Sequence, residues 1–132
     1  MYERDYAHTR RFEGRTVEQV ASRAREALAA EGFGVLTEID VQATLKKKLG
    51  IDKKPYLIFG ACNPPLAHRA LEAEPAIGVF LPCNVTVFEG DDGAVHVQAI
   101  KPEVMFGLVA DPSVQPIAEE VGRRLERVLE AL

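Results

Sequence analysis

Residues 56–100 read YLIFGACNPPLAHRALEAEPAIGVFLPCNVTVFEGDDGAVHVQAI, and the fold turns on how the apolar runs in this stretch pair. YLIFGAC (56–62) is a short apolar run bounded by turn residues, which predicts a strand. Asn63 followed by Pro64 has the form of a helix N-cap with proline in the first turn. A helix is therefore expected over 64–73, with Leu66, Ala67, Ala70 and Leu71 facing inward. IGVFLPC (77–83) is apolar again and predicts another strand. Pro82 cannot donate to a ladder, so it marks a strand end, an edge or a bulge. NVTVF and AVHVQAI alternate with matching period on either side of the turn signal EGDDG, which predicts a hairpin.

Working outward, residues 2–12 (YERDYAHTRRF) put Tyr6, His8, Arg10 and Phe12 on one face if extended, a pattern suited to an edge strand. Thr16 and Gln19 are spaced as a capping box. Val17, Val20, Ala21, Ala24 and Leu28 follow at helical intervals until Gly32, which predicts a helix over 16–31. FGVLTEIDV (33–41) alternates and predicts a strand with one wet face. Asp40 can cap a short helix that carries Lys46, Lys47 and Lys48 and closes at Gly50. Beyond the hairpin, Pro102 opens a short amphipathic segment to Val109. Asp111 with Pro112 reads as cap plus first turn of a final helix running to the C-terminus, with Ile117, Val121, Leu125, Val128 and Leu132 as its apolar stripe.

This order of elements predicts a single α+β domain over residues 1–132, with a mainly antiparallel or mixed sheet covered by helices on one face and a long C-terminal helix. A chain of 132 residues, 47% hydrophobic, has enough apolar material for one core. Acids and bases are interspersed and the formal charge is −4, so no footprint for nucleic acid is visible. No window is long and apolar enough for a membrane span, and the N-terminus has no apolar leader. Neither a nucleic-acid nor a membrane partner is expected, and a cytoplasmic location is the default.

Both cysteines, Cys62 and Cys83, stand directly before an asparagine at the end of an apolar run. If YLIFGAC and IGVFLPC form a parallel pair across the intervening helix, two Cys-Asn steps meet at one sheet edge, at the carboxyl ends of strands where open sheets bind ligands. The helix starting at Asn63 would aim free N–H groups at that edge and favour a thiolate or an anion. A fully antiparallel arrangement would instead be expected to separate Cys62 from Cys83.

The stretches GFGVLTEIDV, ATLKKKLGI, GACNPPLAHRALEAEPAIG and LPCNVTVFE, in that order, resemble the domain of unknown function 302 family over about residues 14–100. Gly32, Gly34, Cys62, Asn63, Pro64, Pro82, Cys83 and Asn84 match its pattern, and His68 falls outside it. The resemblance implies a small α+β domain, often dimeric, with no established reaction, substrate or cofactor.

The candidate ligand-binding residues are therefore Cys62, Asn63, His68, Cys83 and Asn84. Each also has a plainer role. The cysteines can be buried small hydrophobes, Asn63 a helix cap, and Asn84 part of a bend after Pro82. A zinc or copper site would have to recruit His68 or His96 beside both thiols, and the chain has no local chelating pair, so neither a metal nor a cofactor is expected. Three functions remain open: a non-catalytic homodimer, associating through a sheet edge or helix face, that binds a small molecule, an anion or a partner; a thiol-dependent enzyme or redox sensor; and a structural or partner-binding domain with core cysteines.

Overall fold

A computed structural model describes all residues, Met1–Leu132. Five strands, β1 (Ala7–Phe12), β2 (Gly34–Asp40), β3 (Tyr56–Cys62), β4 (Cys83–Glu89) and β5 (Val95–Ile100), form one sheet in the order β1-β5-β4-β3-β2, with every pair antiparallel. β2 to β5 make a meander, and β1 joins the far side as the expected edge strand. Five helices accompany it: α1 (Val17–Ala30), α2 (Val41–Leu49), α3 (Pro64–Ala73), α4 (Pro102–Phe106) and α5 (Val114–Glu130). This is the α+β domain that the periodicities predict, with α5 as the long C-terminal helix.

The parallel strand-helix-strand unit is not formed. Pro75–Phe80 is a 3-10 helix rather than a strand, and β4 begins at Cys83 instead of ending there. Glu74 starts the 3-10 helix by accepting the Ala76 N–H on its carboxylate (3.0 Å), and Pro75 occupies the first turn. Ten residues of α3 carry the chain roughly 15 Å away from the end of β3, and six residues of 3-10 helix packed beside it span roughly 12 Å on the return. The chain re-enters the sheet at the end it left, so the next strand has to run antiparallel.

Strand alternation sorts the two faces. Leu57, Phe59 and Ala61 of β3, Cys83, Val85 and Val87 of β4, and Val95, Val97 and Ala99 of β5 turn to the helices and are buried. Val20, Ala24 and Leu28 of α1, Leu66 and Ala70 of α3, and Val114, Ile117, Leu125 and Val128 of α5 complete a single core. Thr16 and Gln19 form the expected capping box, with their two bonds at 3.1 and 2.9 Å. α5 starts two residues after Pro112, because the Asp111 carboxylate bonds the Ser113 N–H (2.9 Å) and hydroxyl (2.7 Å) and holds a turn there.

The opposite sheet face carries no helix. The N-terminal arm crosses one end of it, where Tyr2 packs edge-on against Phe88 and His96 at ring distances of 5.1 and 4.5 Å, and Gln98 Nε2 donates to the Tyr2 carbonyl (2.6 Å). His96 does lie opposite Val95 and Val97, but under this arm it is only 2% exposed rather than wet.

Gly60, in the middle of β3, is where that face is tightest. A Cβ there would meet Pro82 Cγ at 2.8 Å and collide with the Thr37 hydroxyl, so a strand glycine marks close approach of neighbouring chain on both sides. Gly60→Ala is expected to cost about 1–3 kcal/mol through overpacking, measured by urea denaturation. A loss under about 0.5 kcal/mol, the range of an ordinary surface change, would contradict this account.

Candidate functional site

At the end of the sheet where β3 finishes and β4 starts, the helical layer leaves an apolar pocket of about 250 Å³. Leu66, Ala67 and Ala70 of α3 form one wall, Ile117 and Val121 of α5 another, and Phe106 of α4 lies across it. Phe33, Ala61 and Cys83 supply the sheet side, while Leu36 stands at the rim from the β2 bulge between Val35 and Thr37.

The antiparallel arrangement was expected to separate the cysteines, yet both line this pocket. Because β4 begins at Cys83, the register sets Cys83 opposite Ala61, one residue from Cys62. Ala61 and Cys83 share the helix-facing side, so alternation sends the neighbouring Cys62 side chain toward the other face. Both thiols are free, Cys83 buried and Cys62 half-buried. Burial, and to a lesser extent the neighbouring Cys62, pushes the Cys83 thiol up to about 11. At neutral pH that sulfur is a protonated, apolar part of the wall and a poor nucleophile.

Asn63 is buried at the pocket's edge and both ends of its carboxamide are engaged. Its Oδ1 accepts the Leu66 N–H (3.4 Å) as the cap of α3, and its Nδ2 donates to the Glu31 carbonyl (3.4 Å) at the end of α1. Arg124 of α5 also donates to that carbonyl (3.0 Å), so three helices are tied at one point. Gly32 is needed beside it: its φ is +83°, and a Cβ would stand 3.0 Å from Asn63 Nδ2.

The free N–H groups expected at the start of α3 are absent. Pro64 and Pro65 have none, Leu66 gives its own to Asn63, and Ala67 bonds the Asn63 carbonyl (2.9 Å). With no donor left in that first turn, the helix start offers an anion nothing to bind.

The remaining candidates disperse. His68 lies exposed on the outer side of α3 and does not line the pocket. Asn84 is exposed on the uncovered sheet face. His96 is near the start of β5 and does not line the pocket, with Nε2 3.0 and 3.1 Å from the two carboxylate oxygens of Asp92, which also accepts from Arg11 Nε (3.0 Å). His96 and then Arg11 hold the Asp92 carboxyl well below the usual carboxylate range. The spacing of Asp92 and His96 across the EGDDG turn was the available signal for this pair, which pins the hairpin. No His, Cys, Asp or Glu cluster of three or more is positioned to hold a metal ion.

Fold and pocket together define a small α+β domain with an apolar chamber at one sheet end. A family model described as "Domain of unknown function DUF302" matches residues 8–132, and the chain belongs to that family. It is also similar to a solved structure, an uncharacterized conserved DUF302 protein from Bacillus stearothermophilus, at 31% identity and a TM-score of 0.88, covering 97% of this chain and 98% of that one. No functionally curated protein matches the sequence.

The raised Cys83 ionisation gives a sign for pH dependence. An unfolded thiol ionises near the ordinary 9.0 and the folded one near 11, so the folded chain holds its proton longer and stability falls as pH rises through that window. Relative to Cys83→Ala, the wild type is expected to lose of order 2 kcal/mol more stability between these limits, measured by denaturation at stepped pH. Identical pH slopes in the two proteins would refute it.

Proposed function

We propose that this protein is a non-catalytic binding protein that holds a small, uncharged, apolar molecule in the chamber between α3, α4, α5 and the start of β4. The observation that carries this reading is the composition of the lining: twelve of its fifteen residues are hydrophobic. Its one carboxamide, that of Asn63, is already bonded at both ends. Apolar walls with few free polar groups suit a ligand held by shape and burial, and the volume exceeds the ~150 Å³ in which an engineered cavity binds benzene. A thiol enzyme is disfavoured by the same geometry. Cys83 is protonated at neutral pH, and no histidine, aspartate, glutamate or lysine stands beside Cys62 among the residues lining the pocket.

We also propose that the chain works as a homodimer in the cytoplasm, joined through the uncovered sheet face. Ile39, Ile58 and Thr86 are cross-strand neighbours in one row of that face, and Ile39 is 47% exposed. The Thr86 hydroxyl is shielded from solvent and has no hydrogen-bond partner within the protomer. Two free thiols fit a reducing compartment.

A thermal-shift panel of toluene, indole, hexanol and hexanoate is expected to show stabilisation by the neutral compounds and little by the carboxylate. Ala67→Phe, at the half-buried wall, should abolish the shifts while keeping the circular dichroism spectrum. No shift with any neutral compound, or shifts undiminished in a folded Ala67→Phe protein, would sink the ligand reading. For the dimer, sedimentation of the wild type should give twice the protomer mass and Ile58→Lys the protomer mass. A monomeric wild type rejects it.

A further inference from the structure

Five of the chain's six lysines, Lys46, Lys47, Lys48, Lys53 and Lys54, fall within nine residues of the turn KKKLGIDKK, with Asp52 as the only acid among them. The segment carries +4 in a chain whose total is −4. Elsewhere arginines dominate, and Arg11, Arg25, Arg123, Arg124 and Arg127 are all ion-paired. Here Lys46 pairs with Asp52 (2.8 Å) and Lys54 approaches Asp91 (3.5 Å), whereas Lys53 lies over the Tyr56 ring and Lys47 and Lys48 have no acidic partner.

The lysines surround an apolar tip. Leu49 is 64% and Ile51 50% exposed, on either side of Gly50, which has a left-handed backbone and open space around it. α2, which leads into the tip, is capped at both ends by Asp40 and Gly50 yet buries none of its residues. A nine-residue helix is marginal alone, and packing within the chain does not account for keeping two aliphatic side chains in water at its end.

We propose that this turn docks the protein on an anionic lipid surface, with Leu49 and Ile51 entering the boundary between headgroups and acyl chains and the lysine collar meeting lipid phosphates. The pairing of an apolar tip with flexible basic side chains suits such a boundary. A second copy facing the turn across a two-fold axis would set lysines against lysines. The remainder of the chain, at −8, is repelled by the same surface, which fixes the orientation with the tip inward. The contact is peripheral and needs no spanning helix, and it departs from the expectation, drawn from overall composition, that no membrane partner exists.

The test is co-sedimentation of the full chain with phosphatidylcholine vesicles, with and without phosphatidylglycerol, and with short duplex DNA as a separate polyanion. Wild-type protein should pellet with the anionic vesicles only. Lys47→Glu/Lys48→Glu and Leu49→Ser/Ile51→Ser, both at exposed positions and checked for folding by circular dichroism, should each reduce the bound fraction about tenfold or more. A Leu49→Trp protein should show a blue-shifted emission on the anionic vesicles. Absence of pelleting, pelleting unchanged by lysine reversal, or binding to duplex DNA that ignores the loss of Leu49 and Ile51 would each overturn the proposal.

Discussion

The path of the chain between Cys62 and Cys83 is the constraint on which the rest of the molecule depends. A helix leads away from the end of β3 and a 3-10 helix leads back, so β4 has to start where β3 stopped. This makes the sheet a meander, brings both Cys-Asn steps to one end, and leaves the space beneath α3 that α4 and α5 roof over. Asn63 holds the corner. Its carboxamide caps α3 and reaches the last carbonyl region of α1, where Arg124 of α5 also bonds. Opening that corner would release the wall of the pocket together with the turn that sets the strand direction.

The chemistry of the pocket follows from how its polar groups are used up. Two prolines remove donors from the first turn of α3, the cap takes a third, and burial keeps the Cys83 thiol protonated. What remains is a surface that attracts by excluding water and selects by shape. Such walls suit the neutral ligand proposed for them. Binding without turnover is the reading we propose for them.

Much of this was legible in the residues. The capping box at Thr16 and Gln19, the Asn63-Pro64 helix start, the EGDDG hairpin and the stripe of α5 are local signals, and each appears where its spacing predicts. The strand expected at IGVFLPC failed because a short apolar run cannot be told from a helical turn by periodicity alone, and in the turn that forms only Ile77 is buried while Val79 is exposed. Glu74-Pro75 marked that turn, but glutamate is an uncommon cap. The candidate site was half visible. Cys62, Asn63 and Cys83 gather because of register, whereas the pocket's larger part, Phe33, Leu66, Phe106, Ile117 and Val121, looks in sequence like ordinary core. His68 and Asn84 fell outside the pocket because position on a helix or strand face, rather than proximity along the chain, decides what a side chain meets. The crowding of Thr37 and Pro82 onto Gly60 and the cover of Tyr2 over His96 are tertiary contacts that no local pattern contains.

The most direct measurement is an NMR titration of isotope-labelled protein with hexanol and, separately, hexanoate, following backbone amides. Saturable shifts are expected with hexanol, confined to residues around Cys62, Leu66, Cys83, Phe106 and Val121, and far weaker ones with hexanoate. Shifts elsewhere in the sheet, or tighter binding of the carboxylate, would contradict an apolar pocket as the working site of this protein.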